Sequence, residues 1–202
     1  MPKTPLAPRK APRQDRSRKT CDAILKAAAG ILEREGQTGL NTNHVARKAG
    51  VSIGSLYQYF PNKQSIIGAL IRARRETLLA GMEEVFEAAG EAGLEEIVRA
   101  MVAKRLQQDF RRPALVQALQ RAEAELPEDK DLRQMRTRVE ALIVAVLAEY
   151  YIDDPETVAR DVLAIGDGMV RAAVDAGETD AAALGARVDR AVLGYLATIV
   201  ED

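Results

Sequence analysis

The sequence predicts an all-α fold: a three-helix N-terminal head joined through a long helix to a helical body, about nine helices in 202 residues. Three observations predict it. Apolar residues recur at helical spacing in nearly every segment; no segment alternates as a half-buried strand does; and the breaks fall at Gly, Pro, Asn, Asp and Ser/Thr positions that start and stop helices. At 47% hydrophobic and 29% charged, a chain of this length buries roughly 70% of its unfolded surface without covalent staples. The single Cys21 can neither close an intramolecular disulfide nor build a multi-thiolate zinc site. The longest apolar run, Ala141 to Ala148, is far short of the ~20 residues of a membrane span, and the first twenty residues are basic without an apolar signal core. The expectation is a cytoplasmic protein with no membrane association and no cofactor.

Residues 1–15 hold four of the eight prolines and no apolar periodicity, and read as a flexible basic tail. From Arg16, Ile24, Leu25, Ala28, Ile31 and Leu32 form one stripe, a helix that stops near Gly36. Thr42 can cap a short helix through Ala49, which Gly50 ends in the left-handed conformation; Ser52 can cap a second, Ile53 to Phe60, which Pro61 terminates. Two short helices on a tight turn after a longer one make a helix-turn-helix, here residues 16–62. Neither short helix is stable alone, so both must be held by packing.

Asn62 caps a long helix from Lys63 to about Ala89, on the order of 40 Å of rod that can link a head to a separate body. Gly81 could bend it, and the boundary between head and body can run through it near Arg72 to Arg75. The body, residues 63–202, continues with helices over Leu94 to Phe110, from Pro113 to before Pro127, about Asp129 to Tyr151, Pro155 to about Ala176, and from Asp180 to about Val200.

Charge divides the same way. Residues 1–75 carry 15 Lys/Arg and four acids, +11; residues 76–202 carry 14 and 26, −12; together they give the net −1. A basic head expects a polyanion, and the acidic body does not. A helix entering the major groove offers its first turns to base edges: Ile53 can touch a thymine methyl, Gln58 can pair with adenine, and Gly54 lets the backbone approach.

The string Ile24-Leu25-x-Ala27-Ala28, Leu32, Gly36, Thr42, Val45-Ala46-x-x-Ala49-Gly50-Val51-Ser52-x-Gly54-Ser55-Leu56-Tyr57-x-Tyr59-Phe60-x-Asn62-Lys63 resembles the TetR family of transcriptional regulators over about Arg18 to Leu70. The resemblance implies phosphate contacts from Thr42, Tyr57, Tyr59 and Lys63, and a base-facing turn of Ile53, Gly54, Ser55 and Gln58. Asn43 and His44 join the DNA-facing set. Leu56 and Phe60 read as core. The basic tail, with Arg9, Lys10, Arg13, Arg16, Arg18 and Lys19, either follows the DNA backbone or is a solubilising extension.

Cys21, beside Lys19 and Lys26, can have a slightly lowered pKa yet lacks a resolving partner and reads as inert. The acid pairs Glu83/Glu84, Glu95/Glu96 and Asp153/Asp154 are chain neighbours on different helix faces, so no metal cage follows. In the body, Met82, Phe86, Met101, Phe110, Leu115, Leu119, Met135, Leu142 and Met169 are candidates to line an apolar effector cavity. Val162, Ile165, Gly166, Met169, Val170, Val188, Val192, Tyr195, Leu196 and Ile199, on the last two helices, are candidates for a two-fold interface, a four-helix bundle shared by two copies. The reading is a homodimeric repressor, not an enzyme, released from a palindromic double-stranded DNA operator by a small apolar effector. The alternatives are a non-specific nucleic-acid-binding protein, or a small helical enzyme acting through carboxylates and Tyr150, Tyr151 and Tyr195.

Overall fold

The computed structural model describes residues 15–126 and 130–200. Among them every regular element is a helix: α1 (Asp15–Gly39), α2 (Thr42–Ala49), α3 (Ile53–Tyr59), α4 (Lys63–Ala88), α5 (Leu94–Asp109), α6 (Pro113–Glu125), α7 (Lys130–Glu149), α8 (Pro155–Asp175) and α9 (Ala181–Val200). The chain divides into two compact units, Met1–Arg74 with Ala114–Leu132, and Arg75–Pro113 with Arg133–Asp202. The dividing line crosses α4 between Arg74 and Arg75, and α6 belongs to the first unit. The tail expected at residues 1–15 lies, but for Asp15, outside the described residues, as do Arg9, Lys10 and Arg13.

In the first unit the stripe of α1 is buried: Ile24, Ala28, Ile31 and Leu32 pack with Val45 of α2, Leu56 of α3 and Ile66, Ile67 and Ile71 of α4. Gly36 interrupts α1 with φ 65°, a backbone state that costs a glycine little, so the expected stop appears as a kink before the last turn. The cap of α2 is Asn41, whose side chain accepts the His44 N–H at 2.9 Å, not Thr42; the extended Asn41 backbone fits a cap position and leaves Thr42 inside the first turn. Gly50 closes α2 at φ 69°, its N–H returning to Arg47 and that of Val51 to Ala46. Ser52 caps α3 by accepting the Ser55 N–H, and Asn62 caps α4 through the Ser65 N–H at 2.7 Å.

In the second unit α5 and α8 pack against α9 around Val98, Leu106, Ile143, Leu147, Val170, Val188 and Val192. Asp154 caps α8 ahead of Pro155, and Asp180 caps α9 by accepting the Ala183 N–H at 2.9 Å. Gly81 of α4 is a site of close approach: a Cβ there would stand 2.6 Å from Gln108 Nε2 and 2.9 Å from Lys104 Cε of α5.

Candidate DNA-binding face and effector cavity

The two short helices divide their residues by face. On α3, Leu56 is buried and the following Phe60 sits in the same core, while Gly54 and Gln58 are exposed and Ile53 and Tyr57 are 39% and 42% exposed. Burying Leu56 and Phe60 holds a seven-residue helix that propensity alone would not. It leaves an apolar methyl surface, a primary amide and a phenol facing outward on one short helix, with Arg47 and Lys48 at the end of α2 and Lys63 at the start of α4 exposed in the same unit.

Several of the DNA-facing candidates have internal partners that set their positions. Thr42 Oγ1 and Tyr57 Oη are 3.1 Å apart, and Ser17 Oγ and Tyr59 Oη 2.8 Å apart. Each phenol is thereby fixed to a neighbouring helix with its ring at or near the surface. Ser55 is half-buried and its hydroxyl lies 2.8 Å from that of Ser52, so it serves the cap of α3. Asn43 is exposed. His44 is half-buried and turned toward α1, with Nδ1 3.3 Å from the Gly39 carbonyl oxygen and 3.6 Å from the Glu35 carboxylate. Cys21 is buried; burial first, and the Asp22 charge second, push its thiol above the ordinary value, opposite to the slight lowering expected from Lys19 and Lys26.

The second unit holds a partly open cavity of about 70 Å³. Met82 of α4, Val98, Met101 and Leu106 of α5, Val146 of α7, Val162 and Val170 of α8, and Val188 and Val192 of α9 line it, and Arg105 is the one charged residue on its wall. The Arg105 side chain is only 14% exposed, with its Nε 3.4 Å from Asp109 and its Nη1 hydrogen-bonded to Asp167 of α8. Burial opposes the guanidinium charge, and Asp167 and Asp109 more than offset it, so the pKa stands above the ordinary value.

The cavity divides the expected effector set. Met82 and Met101 are on its wall. Leu119 is in the core of the first unit and Leu115 packs on that core, because α6 belongs to the head. Phe86 packs beside Ile97 and Met101, Phe110 and Met169 pack on the α5–α8–α9 core, Met135 is buried elsewhere, and Leu142 is half-buried off the wall.

The expected interface set is spread over several environments within the single chain. Val170, Val188, Val192 and Leu196 are at most 3% exposed within a single chain and belong to its core. Val162 and Gly166 turn to the cavity. The broad apolar stripes of α8 and α9 look like surplus in sequence because α5 and α7, which they cover, are distant in the chain. Ile165, Met169, Tyr195 and Ile199 remain half-buried, and the Tyr195 hydroxyl donates to Asp161 Oδ2 at 2.5 Å, which raises the phenol pKa. Sequence reasoning missed Arg105. Its spacing of four from Asp109 was visible, but Asp167 is 62 residues away.

The comparisons with known proteins agree with this architecture. A family model described as "Bacterial regulatory proteins, tetR family" matches residues 24–70, and one described as "Tetracyclin repressor-like, C-terminal domain" matches residues 91–196. Among curated proteins, the nucleoid occlusion factor SlmA of Vibrio cholerae serotype O1 is 34% identical over 67 residues, 33% of this chain and 34% of that protein. The protein of the same name from Alteromonas mediterranea is 27% identical over 153 residues, 73% of this chain and 76% of its own length. The chain thus spans about a third of the Vibrio protein. A solved TetR-family transcriptional regulator from Streptomyces coelicolor superposes with a TM-score of 0.69 at 23% identity, covering 89% of this chain and 99% of that one. The chain belongs to the tetR family of bacterial regulatory proteins, a family of DNA-binding transcriptional regulators.

Proposed function

We propose that this protein is a homodimeric, cytoplasmic repressor that reads a palindromic operator with α3 and releases it when a small apolar molecule occupies the cavity of the second unit. One observation carries the reading: α3 is anchored by Leu56 and Phe60 and offers Ile53, Gly54, Tyr57 and Gln58 outward. Exposed large apolar and aromatic side chains on a short helix in a basic unit suit base edges and phosphates together. Thr42, Tyr57, Tyr59 and Lys63 act as phosphate contacts, and Ile53, Gly54 and Gln58 as the reading set. Of the expected interface set, the apolar side chains of Ile165, Met169 and Ile199 are half-buried in the single chain and serve the contact with a partner copy. Two copies place two α3 helices about 34 to 36 Å apart, one turn of B-form DNA. No described helix is long and apolar enough to cross a membrane.

The helix α4 supplies its first half to the head unit and its second half to the cavity unit, which is the covalent route by which occupancy of one biases the other. If effector weakens DNA binding 100-fold, about 2.7 kcal/mol, operator weakens effector binding by the same factor. The reading is tested by selecting duplexes from a random pool. It expects an inverted repeat with half-sites one helical turn apart and a solution mass of two chains on the selected duplex. A pool without enrichment, or one chain per duplex, refutes it.

A second reading takes its support from the name of the curated relatives, nucleoid occlusion factor: this chain binds DNA through the same head but serves nucleoid occlusion. It shares the head and the operator, and is favoured if removal of the protein changes no transcript beside its binding sites.

A further inference from the structure

Resting on the reading of the cavity as an effector site, we infer that the effector is a hydrocarbon, a ring or short chain of about four to six carbon atoms, with no charged or hydrogen-bonding group. The wall decides the class. Apart from Arg105 it is built of aliphatic and methionine side chains and Gly166, and it turns almost no polar surface to the cavity. Arg105 does not change this. Its guanidinium is engaged by Asp109 and Asp167, so what it adds to such a wall is its aliphatic stem. Among the described residues, no wall residue carries a buried polar side-chain atom left without a hydrogen bond.

A polar ligand group that enters this space gives up its hydrogen bonds to water and gains none in return, a loss that apolar contact does not offset. Water itself is poorly suited, because it is held only by about two to four polar partners. A hydrocarbon has no such bonds to lose. Its transfer from water is favourable in itself, and it supplies the dispersion contacts that side chains bordering a gap forgo. Size narrows the class further. At about 70 Å³ the cavity is roughly half the ~150 Å³ of an engineered apolar cavity that takes up benzene, so a saturated ring of about five carbons matches it better than a substituted aromatic. Met82 of α4 and Met101 of α5 adapt the wall to small differences in shape through their flexible thioethers. At Gly166 of α8 a Cβ would meet nothing within 4 Å, which leaves room for a ligand carbon against the helix.

The probes are cyclopentane, tetrahydrofuran, which is the same ring with an ether oxygen in place of one methylene, and pentanoate at pH 8. They are titrated into the full-length protein carrying 13C-methyl methionine. Met82 and Met101 line the cavity and report entry; Met135, which is buried away from it, is the internal control. The inference expects cyclopentane to bind at least about tenfold more tightly than tetrahydrofuran and pentanoate to move neither reporter, because the wall returns nothing for an oxygen or a charge. Gly166→Leu puts a side chain where the ligand carbon would lie and should weaken cyclopentane about tenfold or more, the scale of lost apolar burial; the comparison of the two rings in the parent does not depend on this variant. A smaller ratio between the rings, or pentanoate that moves the same methyls, overturns the hydrocarbon assignment and leaves the cavity reading standing. Cyclopentane affinity unchanged in Gly166→Leu places the hydrocarbon elsewhere and overturns the assignment as well. No movement of the Met82 and Met101 methyls with any probe overturns the cavity reading itself.

Discussion

The hydroxyls of Thr42 on α2 and Tyr57 on α3 lie 3.1 Å apart at the surface of the head. Tyr57, 42% exposed, is thus held at a defined angle by the preceding helix, and an outward phenol fixed in place loses little entropy on meeting a phosphate. Tyr57→Phe keeps the ring and deletes the bond. DNA affinity should fall by about 0.5 to 1.5 kcal/mol by the same amount on every duplex, measured by fluorescence anisotropy. A loss confined to one sequence would make Tyr57 a base reader.

The head depends on Leu56, which has no exposed surface. Leu56→Ala should cost about 2 to 5 kcal/mol, a cavity term added to lost burial, seen as a lower melting temperature, with DNA binding recovered on cooling. A variant that melts like the parent would mean that α3 is not seated as described.

Arg105 pairs with two carboxylates of unequal burial, Asp109 of its own helix, 3% exposed, and Asp167 of α8, 51% exposed. Asp109→Ala should destabilise by about 3 to 5 kcal/mol by weakening the pairing of a buried cation, whereas Asp167→Ala should cost no more than about 1 kcal/mol because its charge is screened. Chemical denaturation of the two variants checks the order; the reverse order contradicts the assignment of Asp109 as the structural partner.

Asp189 of α9 is paired with Arg99 at 3.6 Å, and its Oδ1 is buried without a hydrogen bond. Burial raises its pKa, and Arg99 only partly counters this. A carboxyl with a folded pKa above its unfolded value binds its proton more tightly when folded, so its contribution to stability falls as pH rises through that interval. Asp189→Asn should therefore be as stable as the parent at pH 7 or more so, by less than about 1 kcal/mol. The difference should vanish as the medium is acidified below the carboxylate range; an advantage that grows in acid contradicts the sign.

Legibility followed the range of the interactions. The helix starts at Ser52, Asn62 and Asp154 and the stop at Gly50 depend on residues within four positions, and local chemistry decided them. Asn41 and Thr42 compete for one cap, and either side chain is chemically suitable; the backbone of the turn chooses Asn41. Leu56 and Phe60 were readable as core because the inward and outward positions of α3 differ in kind. The walls of the cavity were not readable. Val170, Val188 and Leu119 carry the same apolar signal whether they face a partner, a ligand or their own core, and only the packing of helices distant in the chain separates those outcomes. Arg105 was hidden for the same reason, since its role depends on Asp167.

The central claim is that α3 reads bases while its surroundings hold phosphates, and Gln58 and Lys63, both exposed in the head, separate the two. Affinities of the parent, Gln58→Ala and Lys63→Ala for a selected duplex and a scrambled one, across a salt series, are the direct measurement. Gln58→Ala should lose about 1 to 3 kcal/mol on the selected duplex only and keep the salt slope; Lys63→Ala should weaken both duplexes alike and lower the slope by about one. Equal affinity of the parent for both duplexes, or equal losses from both variants on both, would contradict the account.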